Sequence, residues 1–220
     1  MELTVHSLAG AGAVAPAKQI SAAWGTKRAL DIVLAAALLV VSLPVMILVA
    51  LAIRSTSRGS VIFRQSRVGR DGREFIMYKF RTMRPDAASH EEHLAKLNGD
   101  RVFVKFEADG RVTPVGRFLR KYSLDELPQL INVLRGDMSL VGPRPLLLTD
   151  MRKFPRGHWG RRFTVPPGMT GLWQVSGRSL CSDQERIRLD LEYVERWSLW
   201  LDLWILLLTP ATVLLARGAY

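Results

Sequence analysis

One cysteine, four histidines and an aromatic share of 8% leave this 220-residue chain short of several kinds of chemistry. A single thiol, Cys181, cannot close an internal disulfide, which fits a reducing compartment and argues against redox work. The histidines offer no metal site by spacing. His90 and His93 of HEEHL stand three apart, whereas a zinc-protease helix needs them four apart, so this stretch is read as an exposed polar helix face. Acidic residues are scarce too: 20 Asp and Glu face 31 Lys and Arg, a net charge of +11. Such a balance favours anionic partners, whether phosphates, acidic lipid headgroups or nucleic acid, and charge alone does not choose among them. There is no internal repeat. The length suits one compact domain plus a membrane segment.

Along the chain, residues 1–26 are rich in Ala, Gly and Ser and are expected to form a poorly ordered tail. An apolar run from Ala29 to Ile53 follows, with Asp31 its one charged residue. It is too long for a signal-peptide core and lacks a cleavage site, so it is expected to stay in the mature protein. It also exceeds the roughly 20 apolar residues that cross a bilayer. Two features compete with a plain crossing. Pro44 removes a backbone donor inside the run, with Ser42 close enough to help satisfy freed groups, and should kink the helix. The flanks are basic on both sides, Lys27 and Arg28 before and Arg54 and Arg58 after, whereas a crossing helix usually gathers positive charge on one side. A kinked spanning helix and a hairpin-like dip with both ends cytoplasmic both stand on these residues. The boundaries read from sequence are 27–58 for the membrane segment and 59–220 for the domain that follows.

GSVIFRQSRVGR and REFIMYKFRTM flank Asp71-Gly72, a pair suited to a tight turn with positive φ, so a β-hairpin is expected. Arg70, Arg73, Lys79, Arg81 and Arg84 make it basic, suited either to acidic lipid or to direct phosphate binding. Residues 86–100 read as an exposed polar helix, and VPPGMTGLWQVSGRS as a Pro/Gly-rich loop able to bring amides near a ligand. The C-terminal run from Leu203 to Ala216, interrupted by Pro210 and preceded by Trp197, Trp200 and Trp204, reads as an interfacial helix, with a second spanning helix the competing reading. The fold class is therefore α+β: a mainly helical domain with a short β-hairpin, an N-terminal membrane helix broken near Pro44, and interfacial amphipathic helices.

The chemistry concentrates in GRFLRKYSLDELPQLINVLRGDMSLVGPRP, from Gly116 to Pro145. Leu127, Leu130, Ile131 and Leu134 recur at helical spacing, and Pro128 is harmless only in a first turn, so a helix is expected to begin near Asp125. Asp125 and Glu126 could then be no more than a cap, since Ser123 and Glu126 have capping-box spacing. Their surroundings add a second reading. Arg117, Arg120 and Lys121 precede the pair, and Arg135 and Arg144 follow it, the latter held stiffly in Gly142-Pro143-Arg144-Pro145. Guanidinium groups can hold phosphate oxygens in a forked geometry while a carboxylate attacks phosphorus or holds a divalent ion. A helix terminus among arginines is expected to keep that carboxylate ionised at neutral pH.

From Lys27 onward these blocks occur in the order that characterises the bacterial sugar transferases, the monotopic polyprenyl-phosphate phosphoglycosyl transferases, and the chain resembles that family. The resemblance rests on KRALD with the proline-broken run, on GSVIFRQSRVGRDGREFIMYKFRTM and SLDELPQLINVLRGDMSLVGPRP, and on VPPGMTGLWQVSGRS with LDLEYVERWSLWLDLWIL. It implies transfer of a sugar-1-phosphate, glucose or galactose phosphate by preference, from a UDP-sugar to undecaprenyl phosphate with release of UMP. This is the initiating step in building exopolysaccharide, capsule, O-antigen or glycoconjugates. It further implies that Asp125 is a nucleophile forming a phosphosugar ester, that Glu126 assists through Mg²⁺ or proton transfer, and that Asp125 and Glu126 are the residues to hold Mg²⁺. Arg120 and Arg144 match phosphate-binding positions and Arg178 a further substrate-side arginine, with Arg117 added as a neighbouring cation. The same resemblance implies a helix broken at Pro44 that re-enters one leaflet of the inner membrane, with the active site facing the cytoplasm and anionic phospholipid as its surface.

Two departures stand out. Ser42 and Pro44 are separated by Leu43, where relatives place Ser directly before Pro, and Asp183 stands where relatives carry Trp after VSGRS. No large N-terminal membrane region like that of many relatives is read before Lys27, so the resemblance is expected to be to the short catalytic form. The competing reading, a non-catalytic basic protein on acidic lipid or nucleic acid, explains the charge but not an acidic pair set among arginines; no nucleic-acid partner is assigned. Oligomeric state is open, a homodimer included.

Overall fold

The computed structural model describes residues 20–84, 110–149, 159–177 and 181–215. Residues 1–19 of the expected tail, HEEHL with its polar helix, and Arg178 lie outside the described residues, whereas residues 20–26, also expected in that tail, are the start of a long helix. Most of what is described is helical, with one antiparallel hairpin and one short parallel strand pair.

Helix α1 (Ile20–Thr56) is one continuous helix, roughly 55 Å long at 1.5 Å per residue. The division expected at Pro44 is not present: the helix runs through it, with the Ser42 hydroxyl 3.4 Å from the Leu39 carbonyl and 3.6 Å from Met46 Sδ. Side chains at Trp24, Lys27, Asp31, Ala35, Leu39, Met46, Val49 and Ile53 form a stripe at helical spacing that packs on the domain on both sides of the proline. The opposite face carries Val33, Val40, Val41 and Leu48, each 64–77% exposed. Because α1 is apolar all round, its sequence gives no amphipathic contrast from which the packed stripe could be picked out.

Strands β1 (Ile62–Val68) and β2 (Glu74–Phe80) pair antiparallel, with Ile62 opposite Phe80 and Val68 opposite Glu74. Asp71 and Gly72 sit in the turn with φ of 56° and 74°, as their residue types require. Helix α2 (Pro114–Lys121) starts at Thr113, whose hydroxyl accepts from the Gly116 amide at 2.9 Å, with proline in the first turn. A 3₁₀ turn, Leu124–Glu126, then leads into α3 (Gln129–Arg135). Asn132, fully buried on α3, satisfies the free edge of β2: its amide nitrogen donates to the Ile76 carbonyl at 2.7 Å and its oxygen accepts from the Tyr78 amide at 3.0 Å. The face expected to be buried is displaced by one residue type. Leu130 and Val133 are buried, Leu127 and Leu134 half-buried, and Ile131 is 37% exposed. Anchoring Asn132 under the hairpin rotates Ile131 outward.

Strand β3 (Ser139–Val141) pairs in parallel with β4 (Gly168–Thr170), so part of the stretch read as a loop is a strand, and α5 (Leu172–Ser176) follows it. The backbones at Gly142 and Gly168 approach so closely that a Cβ on Gly168 would stand 2.1 Å from the Gly142 nitrogen, which only glycine permits. Helix α4 (Trp159–Arg162) packs on α6 (Asp183–Arg196), and α7 (Leu199–Leu214) closes the described chain.

A buried polar knot joins α1, β3, α6 and α7. Lys27 Nζ donates to Asp202 Oδ2 at 2.6 Å and to the Val141 carbonyl at 3.3 Å; the Tyr193 hydroxyl reaches Asp202 Oδ1 at 2.7 Å and Trp197 Nε1 reaches Oδ2 at 3.2 Å. Asp31 accepts from the Leu140 amide at 3.1 Å, and Arg28 donates to the Val133 and Leu134 carbonyls at the end of α3. Lys27 and Arg28, read from the sequence as charges flanking the apolar run, are therefore internal struts. Trp197 likewise stacks on Trp24, ring centroids 4.6 Å apart, and takes no place in an interfacial aromatic belt, whereas Trp200 is 79% exposed.

Candidate active site

The acidic pair is carried by the 3₁₀ turn, not by the first turn of a helix. Ser123 adopts a left-handed conformation, φ 52°, and its side chain makes no cap hydrogen bond, so the capping box is not formed. A seven-residue α3 beginning at Gln129 comes too late to cap with Asp125. Asp125 is thus buried without the job a cap would give it, its side chain 11% exposed.

Around it stand three cations from three elements. Lys79, on β2, reaches Glu126 Oε1 at 2.6 Å and Asp125 Oδ2 at 4.0 Å, bridging the pair. Arg144, in the turn after β3, lies 3.7 Å from Glu126 Oε1. Arg120, at the end of α2, donates through Nε to the Thr82 hydroxyl at 3.0 Å and acts on Asp125 through its charge. Burial pushes the Asp125 carboxyl above its ordinary 3.8; Lys79 pulls it back most strongly, Glu126 pushes it up again, and Arg120 and Arg144 draw it down. A helix terminus among arginines was expected to keep this acid ionised at neutral pH; in the structure desolvation is the largest influence on it, and the main opponent of desolvation is a lysine.

Arg144 is itself held from behind. Arg162 donates to the Arg144 carbonyl while pairing with Asp190 at 2.6 Å, both ionic side chains only 2% exposed. The guanidinium of Arg144 lies over Trp173, 5.8 Å from the ring centroid, and that of Arg186 lies 5.0 Å from the same ring. A small cleft opens beside the pair, lined by Arg67, Lys79, Glu126, Gln129 and Arg144 among others. Buried acid, bridging cation and half-buried guanidinium side by side form an arrangement able to bind an anion and attack it.

The family model described as bacterial sugar transferase matches residues 22–216, nearly all of the chain and every residue of this cluster. The chain belongs to the bacterial sugar transferase family. It is 39% identical over 199 residues to the exopolysaccharide production protein ExoY of Rhizobium meliloti, covering 88% of both chains. To the galactosyl transferase CpsE of Streptococcus agalactiae it is 48% identical over 163 residues, which is 73% of this chain and 36% of that one. To the undecaprenyl-phosphate galactose phosphotransferase of Salmonella typhimurium it is 42% identical over 200 residues, 88% of this chain and 41% of the other. The chain thus spans less than half the length of several relatives it matches and most of the length of ExoY.

In this member of the family the structure brings Asp125, Glu126, Arg120 and Arg144 together and leaves Arg117 exposed on α2, outside the site's ion pairs among the described residues. Arg178 falls outside the described residues. Lys79 was legible only as one of several hairpin cations. Of those, Arg81 is engaged with Ser57, and Arg70, Arg73 and Arg84 are exposed. What distinguishes Lys79 is its inward register on β2, two residues from buried Met77, a signal available only once the hairpin register is known. Gln129 and Trp173 were missed because an amide and an indole carry no motif by themselves.

Proposed function

We propose that this protein transfers a sugar-1-phosphate, glucose or galactose phosphate, from a UDP-sugar to undecaprenyl phosphate, releasing UMP, as the first committed step of a surface polysaccharide or glycoconjugate. The observation that carries the reading is Asp125: a carboxylate buried outside any cap, beside Glu126 and within reach of Lys79, Arg120 and Arg144. Relatives named as UDP-galactose and UDP-glucose transferases to a lipid carrier support the substrate pair. In the first displacement an Asp125 oxygen forms a bond to the sugar-bearing phosphorus as the bond from that phosphorus to the bridging oxygen breaks, and UMP leaves with the electron pair. In the second, an oxygen of undecaprenyl phosphate attacks the same phosphorus and the bond to Asp125 breaks, restoring the carboxylate.

Magnesium fits this reading. Among the described residues no group of three or more ligating side chains exists, but this ion is usually held by one or two carboxylates together with substrate phosphates. Asp125 and Glu126 would hold it, and it would supply neutralisation of phosphate charge. Lys79 and Arg144 share that task on the protein side, and Lys79 keeps Glu126 oriented.

The same reading places the protein on one face of the inner membrane with the site toward the cytoplasm. A single domain packs against α1 from Trp24 to Ile53, a length of more than 40 Å at 1.5 Å per residue, so a helix crossing a core of about 30 Å would have to drag that domain through the bilayer. The exposed face of α1 and Trp200, Trp204 and Leu207 of α7 would lie in the lipid of one leaflet, both helices held along the interface by the domain packed on them. Cysteine labelling at Ser21 and Ser60 in a Cys181→Ser background should report both sites as cytoplasmic; periplasmic labelling of either would overturn this topology.

The reaction is tested directly by UMP release in detergent. Purified protein should release UMP from UDP-glucose or UDP-galactose only when undecaprenyl phosphate and Mg²⁺ are present for turnover, and chelation with EDTA should stop it. A chain that binds acidic vesicles but releases no UMP from any UDP-sugar would leave only a membrane-surface role.

A further inference from the structure

Gln129 opens the first turn of α3, one turn beyond Glu126, and is 2% exposed. Among the described residues its side-chain nitrogen is buried with no hydrogen-bond partner, while the residue itself lines the cleft with Arg67, Lys79, Glu126 and Arg144. A buried amide donor left unmade is expensive, and native proteins rarely keep one without a use. Leucine of nearly the same volume would fill the position without that penalty, so packing does not explain an amide here. The neighbours state what the donor is for. Three cleft residues are cations, and the one acid, Glu126, is already taken by Lys79 at 2.6 Å and faces Arg144 at 3.7 Å. A buried neutral N–H bordering such a space is completed by an anionic oxygen that the cations also attract.

We propose that Gln129 is a substrate-binding residue whose side-chain amide donates to a phosphate oxygen of the nucleotide diphosphosugar, completing a cradle with Arg67, Lys79 and Arg144. This rests on the reaction proposed above and adds to it a residue that orients the diphosphate for attack by Asp125. A neutral donor suits that place. A further cation would bind the departing UMP as firmly as the substrate, whereas an amide fixes direction at little cost in product release.

The test uses the full chain in detergent and two variants. Gln129→Leu should lower kcat/KM for the UDP-sugar about 10- to 100-fold, the loss for one hydrogen bond to a charged group, while its melting temperature holds or rises because the unmade donor is gone. Gln129→Glu, of the same size, should lose more, since it places a negative charge against the phosphate. The KM for undecaprenyl phosphate should stay within about twofold in Gln129→Leu. An unchanged kcat/KM for the UDP-sugar in Gln129→Leu would overturn the proposal, as would a melting temperature lowered by many degrees, which would make the amide a structural member. Absence of UDP-sugar turnover in the wild-type protein would instead bring down the reaction, and this role with it. Normal wild-type turnover with an indifferent Gln129→Leu removes the role alone.

Discussion

Replacing Asp125 with asparagine should lower kcat by about 10⁴-fold or more while leaving the melting temperature unchanged or raised. The kinetic half follows from the proposed nucleophile: an amide of the same shape cannot form the phosphosugar ester, and removal of a nucleophile in enzymes of covalent mechanism costs on that order. The stability half follows from burial. Desolvation already pushes this carboxyl above its ordinary 3.8, so its ionised form costs the folded protein stability and a neutral isostere relieves that cost. Lys79 keeps its short pair with Glu126 and is not stranded. Wild-type protein given UDP-sugar without lipid should release one equivalent of UMP and gain the mass of one sugar-phosphate on Asp125, and the variant should do neither. Turnover with intersecting initial-rate lines and no adduct would remove the covalent scheme. The pH dependence carries its own sign. The nucleophile must be ionised, so the acid limb of kcat/KM for the UDP-sugar should lie above the ordinary aspartate value. Lys79→Met, which removes the strongest downward influence, should move that limb further up.

Lys27→Met should be the most damaging single change to the fold. The ammonium is 3% exposed, 2.6 Å from Asp202 and 3.9 Å from Asp31, so its loss strands two buried carboxylates at the junction of α1, β3 and α7. Removing one partner of a buried pair costs about 3–5 kcal/mol. For a chain of this size that corresponds to a fall in melting temperature of roughly 6–20 °C. Because the penalty is the stranded charge, Lys27→Met with Asp202→Asn should recover part of the loss, a coupling that a double-mutant cycle measures. Additive effects would mean that the two side chains stabilise the fold separately and that the knot is not a unit.

The hairpin turn was legible because Asp71 and Gly72 are residue types that tolerate positive φ, and the apolar run was legible because its length has few other uses. The acidic pair among arginines was legible as a cluster in sequence, since Arg120, Asp125, Glu126 and Arg144 lie close along the chain. Lys79 was not, because nothing local separates it from its basic neighbours; the register of β2 against β1 turns it inward. The same holds for Lys27 and Arg28, which read as charges flanking the apolar run and bearing on its topology, and which are bound to Asp202 and to the carbonyls that end α3.

What the sequence by itself determined is the family, the long apolar helix, the hairpin and the identity of the acidic pair, all of them properties of residues near one another in the chain. What only the tertiary structure decided is the state of that pair. Ser123 turns left-handed and leaves Asp125 uncapped in a 3₁₀ turn, and burial, not a helix dipole, sets its proton affinity. Lys79, Gln129 and Arg144 meet it from β2, α3 and the turn after β3. Proton affinity and hydrogen-bond supply depend on which distant segments exclude water from a group, and no local run of residues specifies that.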